Sequence, residues 1–81
     1  MSAEFTYMLN TEYDVPTFLE AMEKLEKIPN IRKIERLDDV DGGVYQIYAL
    51  DDKRIVLKLS VYDNSVHINS DVDLAALCAL G

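Results

Sequence analysis

The sequence predicts an α+β domain. Its expected form is a two-layer sandwich, with an antiparallel sheet of four to five strands, a helix over about residues 15–28 and a short C-terminal helix over about residues 71–80, in the order β-α-β-β-β-β-α. Three observations predict it. Between Val44 and Ser70 apolar and polar side chains alternate, interrupted only by short acidic turns. From Val15 to Ile28 apolar residues recur at helical spacing, and from Leu74 to Leu80 every residue is apolar behind two aspartates. A chain of 81 residues holds all of this as one domain, 1–81.

The first strand is expected over Glu4 to Asn10, with Phe5, Tyr7 and Leu9 on one face and Thr6 and Met8 on the other. The helix follows a polar turn. Asp14 is its expected N-cap, and Pro16 fits the first turn, where a missing N–H costs nothing. Val15, Phe18, Leu19, Met22, Leu25 and Ile28 form its expected apolar stripe. Glu20 and Lys24, and Glu23 and Lys27, stand four apart in the favourable order, and Pro29 ends the helix. Ile31, Ile34 and Leu37 have a spacing of three, which suits a helical turn. The flanking Pro29-Asn30 and the loop at 38–43 favour a strand instead.

The meander carries the strongest pattern. Ile55, Leu57, Leu59 and Val61 share one face and point to the core. A two-residue turn at Asp63-Asn64 would set Val61 opposite Val66, Leu59 opposite Ile68, Ser60 opposite His67 and Lys58 opposite Asn69. At the turn near Asp51-Asp52-Lys53, a three-residue loop sets Ile47 opposite Leu57 and Tyr45 opposite Leu59. A two-residue loop would bury Gln46 against Leu57. The cost of burying an unpaired amide favours the longer loop. The outer face then carries Gln46, Tyr48, Val56, Lys58, Ser60, Tyr62, His67 and Asn69.

For the last helix Ser70 is the expected N-cap, with Asp71 and Asp73 at the positive end of the helix. So apolar a helix either inserts beneath the sheet or meets another subunit as a homodimer contact. At the level of fold alone the arrangement resembles ferredoxin-like domains, in which the second helix normally precedes the last strand rather than following it.

Charge limits the partners. The net charge is −7, which disfavours direct nucleic-acid binding. Every Lys and Arg lies between Lys24 and Lys58, so the molecule is expected to be dipolar and to favour a basic protein partner. The start of the chain lacks the pattern of a signal peptide, and no apolar run is long enough to span a bilayer. A lone Cys78 forms no internal disulfide, and a cytoplasmic setting without membrane contact is expected.

Catalytic and metal motifs fail on spacing. Asp38, Asp39 and Asp41 precede two glycines, but either EF-hand frame puts an apolar residue at a ligand position. His67 has no companion imidazole, and Cys78 is expected in an apolar helix away from it. The expectation is therefore no enzyme, no catalytic residue, no metal and no cofactor. Partner binding is expected from Asp38, Asp39, Asp41, Tyr48, Asp51, Asp52, Tyr62, Asp63 and His67, whose carboxylates would stand in for phosphates. Small acidic phage-encoded inhibitors of host defence nucleases are similar in size and charge, and that resemblance implies inhibition by nucleic-acid mimicry. The alternative expectation is a ferredoxin-like regulatory domain binding a small ligand at a dimer interface.

Overall fold

The computed structural model describes residues 5–38 and 42–76. The chain forms β1 (Phe5–Asn10), α1 (Val15–Glu26), β2 (Ile31–Asp38), β3 (Val44–Leu50), β4 (Lys53–Ser60) and β5 (Ser65–Ser70), then a 3₁₀ turn at Leu74–Ala76. The five strands make one antiparallel-paired sheet in the order β1-β5-β4-β3-β2. β1 and β2 are thus the two edges. α1 connects them by crossing one face of the sheet, and the fold is α+β. No helix among the described residues is long and apolar enough to cross a membrane.

The inner face holds the core. Ile55, Leu57 and Leu59 of β4 and Val66 and Ile68 of β5 are buried against Phe18, Ala21 and Leu25 of α1. Asp14 caps the helix, its carboxylate accepting the Thr17 N–H at 3.0 Å. The helical stripe differs from the expected one. Ala21 is buried, whereas Val15 and Leu19 are exposed. Ile28 is buried just past the helix end, which falls at Glu26. The expected Glu20–Lys24 and Glu23–Lys27 pairs are not among the ion pairs of the described residues, which are Lys33–Glu26 at 3.3 Å and Arg36–Asp38 at 3.9 Å.

Residues 31–38 are a strand, with a bulge that explains the misleading spacing of three. The register with β3 shifts between Lys33 and Glu35. Ile31 therefore sits with Leu50 on the inner face, while Leu37 sits with Tyr45 on the outer one. Ile34 is the extra residue and is exposed. Lys33, Arg36 and this bulge along the β2 edge also discourage edge-to-edge pairing.

Both meander turns differ from expectation. The β3–β4 loop has two residues, Asp51-Asp52, so that Gln46 opposes Leu57 and Tyr48 opposes Ile55. Gln46 and Tyr48 consequently face the core, 1% and 0% exposed, and Tyr45, Ile47 and Ala49 take the outer face. The Gln46 amide is not left unpaired by this register. Its Nε2 donates to the Glu35 carbonyl at 3.0 Å, beside the β2 bulge that disturbs the ladder. Tyr48 is likewise satisfied, its hydroxyl donating to Glu26 Oε2 at 2.8 Å. Among the described residues no buried side-chain nitrogen or oxygen lacks a partner.

Asp51 has φ 56°, the left-handed region. Asp51→Gly should therefore stabilise the domain by several tenths of a kcal/mol, and Asp51→Val should destabilise it by about 1–2 kcal/mol, as read by urea denaturation.

The β4–β5 loop has four residues, Val61–Asn64, rather than two. Leu59 pairs with Val66, Leu57 with Ile68, Lys58 with His67 and Ser60 with Ser65. Ser60 Oγ accepts the Asp63 N–H at 3.1 Å, and the Asn64 N–H returns to the Val61 carbonyl at 3.2 Å. The pairing moves by two residues relative to the expected one, so every β4 and β5 side chain keeps its face, but Val61 leaves the core and is exposed.

The expected C-terminal helix is not found in the described residues beyond the single turn at Leu74–Ala76; residues 77–81, with Cys78, lie outside them. Ser70 ends β5 instead of capping a helix. Its hydroxyl donates to the Val72 carbonyl at 2.7 Å and accepts the Val72 N–H at 3.0 Å. Tyr7 then fastens this segment to β1. Its hydroxyl accepts the Leu74 N–H at 2.9 Å and donates to Asp73 at 3.1 Å, and Leu74 is fully buried.

Candidate functional site

The strand directions divide the predicted site residues between two ends of the sheet. Asp51 and Asp52 form the β3–β4 turn at one end. Tyr62 and Asp63 lie in the β4–β5 loop at the other, beyond Ser60. The eight residues of β4 separate the two groups by about 25 Å. Asp38 ends β2 opposite Val44, at the same end as Tyr62 and Asp63. Asp39 and Asp41 fall outside the described residues. Tyr48 is in the core and is not offered to a partner, which corrects its expected place on the outer face.

The end beyond Ser60 is the denser constellation. β1 pairs with β5, so the turn after β1 arrives beside the β4–β5 loop. The Tyr13 N–H donates to Asn64 Oδ1 at 2.9 Å and ties the two loops together. Within this pair, residues 11–14 supply Thr11, Glu12, Tyr13 and Asp14, and residues 61–64 supply Val61, Tyr62, Asp63 and Asn64. Three carboxylates stand there and no Lys or Arg. Tyr62 is 77% exposed, and Tyr13, Val61, Glu12 and Asp63 are exposed as well. Gly42 closes the same end from the β3 side. Its φ is 93°, and a Cβ there would approach Val61 Cγ2 to 3.1 Å.

Glu12 and Tyr13 were not legible as site residues. Their position depends on the long-range pairing of β1 with β5, which brings residue 13 against residue 64. The one available signal was local: a polar turn with an exposed tyrosine just ahead of a capped helix.

His67 lies on the outer sheet face two residues past the β4–β5 loop, between Lys58 of β4 and Met8 of β1. Ser65 Oγ is 3.2 Å from its Nδ1. Burial depresses its pKa below the ordinary histidine value; the Lys58 charge adds to this and Asp63 partly opposes it. Lys58 Nζ also sits 5.6 Å from the centre of the Tyr45 ring. Among the described residues no three His, Cys, Asp or Glu side chains converge to hold a metal ion.

Comparison with protein families, with characterised proteins and with solved structures gives no match. The fold and this loop pair therefore define the molecule only as an acidic α+β domain with an exposed tyrosine-carboxylate end.

Proposed function

We propose that the chain is a small non-enzymatic protein-binding module. Its contact surface is the paired loops 11–14 and 61–64, and its partner is a basic protein. The observation that carries this reading is the tie between Tyr13 and Asn64, which holds Tyr13, Tyr62, Glu12 and Asp63 at one exposed end with no Lys or Arg in either loop. Tyrosines supply contact area at low conformational cost, and carboxylates supply steering toward positive charge. Where the partner's basic surface normally holds nucleic acid, the module acts as an inhibitor by occupying it. Asp38 lies at the same end of the sheet but on the β2 edge, where Arg36 pairs with it; Asp51 and Asp52 belong to the far end and take no part in the same contact.

The test is affinity capture by the immobilised chain at low and high ionic strength, with and without competing duplex DNA. A basic partner should be retained at low salt, released by salt and by DNA, and lost with the variant Glu12→Gln/Tyr62→Ala/Asp63→Asn. Retention that ignores both salt and the triple substitution would refute this reading.

A further inference from the structure

The outer face of the sheet has no layer over it among the described residues, yet it is built for one. Ile47, Ala49 and Val56 form a half-buried apolar floor. Around it the pairings place Arg32 and Arg54 on either side of Ala49, and Lys58 beside Tyr45. The two arginine backbones stand two strands apart, about 10 Å. Against these three cations stand two carboxylates, Glu35 opposite Ile47 and Asp71, whose N–H donates to the Arg54 carbonyl at 3.0 Å. In a chain of net charge −7, this face gathers positive charge.

The opposite surface of the same domain has the complementary character. The solvent side of α1 exposes Leu19 (54%) and Val15, with Glu20 and Glu23 beside them. Neither glutamate is in an ion pair within the described residues. Its cations, Lys24 and Lys27, come only at the helix end. A bare sheet face is normally buried by a helix, and an exposed helix with apolar and acidic side chains is what a cationic apolar floor accepts.

We propose that this sheet face is covered by the α1 surface of a second copy of the chain. Arg54 and Lys58 would meet Glu20 and Glu23, and Leu19 would rest on Val56 and Ile47. Sheet-to-sheet pairing of two copies would instead bring like cations together. The contact is heterologous, so a pair of copies retains one free helix face on one copy and one free sheet face on the other, and assembly continues beyond a dimer unless a ring closes. The side chains used differ from those of the loop end, so this assembly and the proposed partner binding stand or fall separately.

The test is sedimentation velocity on the full chain over a range of concentrations, with folding checked by circular dichroism. The wild type should grow in mass with concentration. Arg54→Glu/Lys58→Glu should weaken association by at least about tenfold, and Glu20→Lys/Glu23→Lys should do the same, because each sets like charges against each other. Mixing the two variants, or combining all four substitutions in one chain, should restore association. A wild type that stays monomeric at every concentration overturns the proposal, as does a mixture that remains monomeric. Binding of a labelled single-stranded oligonucleotide by the wild type, lost in Arg54→Glu/Lys58→Glu, would also overturn it and make the face an anion platform.

Discussion

Tyr48→Ala should destabilise the domain by about 3–5 kcal/mol, a fall in Tm of at least about 12 °C by thermal denaturation. The ring is fully buried on the inner face, so truncation opens a cavity. The hydroxyl matters separately. It donates to the Glu26 carboxylate, which Lys33 also pairs from β2, so one group joins the end of α1 to β3 and β2. Burial raises the Tyr48 pKa well above the ordinary phenol value, and the Glu26 hydrogen bond and charge raise it further; the phenol remains a donor throughout the accessible pH range. Tyr48→Phe should therefore cost about 1.5 kcal/mol, the scale of a hydrogen bond to a charged acceptor. The control is Tyr45→Ala, on the outer face beneath Lys58, which should stay within about 1 kcal/mol. Equal effects at positions 45 and 48 would contradict the observed register.

That register marks the limit of what the sequence made legible. The α+β class, the strand at 31–38 and the inward set Ile55, Leu57 and Leu59 follow from period and punctuation. What failed on β3 was a choice between two loop lengths, decided on the cost of burying Gln46. That cost is cancelled by a carbonyl on a different strand, beside a bulge no local pattern announced. One loop residue fewer turned Gln46 and Tyr48 inward and Tyr45 outward. The β4–β5 turn also differs from expectation, but by an even shift, so Lys58 and His67 keep their expected face. The candidate site suffered more than the fold. Asp38, Asp51, Asp52 and Asp63 were grouped as one acidic surface, and strand direction sends them to two ends. The coupling of Tyr13 to Asn64 joins residues 51 positions apart in the chain and had no counterpart in the sequence pattern.

The helix offers the second large effect, and it separates adjacent residues. Phe18→Ala should cost about 3–5 kcal/mol, while Leu19→Ala should stay within about 0.5 kcal/mol, both read by urea denaturation. Both side chains are apolar and both fit a broad helical stripe. Phe18 stands three, four and seven residues before Ala21, Met22 and Leu25, so it lies on the axis that faces β4, and it is 2% exposed. Leu19 is rotated about 100° from it and points off that axis. The inner face of the sheet receives its helical cover from this one element among the described α-helices, so a void under Phe18 has little neighbouring structure to fill it. In so short a chain, where folding buries only roughly 60% of the unfolded-chain surface, that loss approaches the whole margin of stability. A small effect at Phe18 would mean that α1 does not hold its position through this ring. A large effect at Leu19 in a strictly monomeric sample would mean that the helix is rotated, and the acidic face assigned to Glu20 and Glu23 would rotate with it.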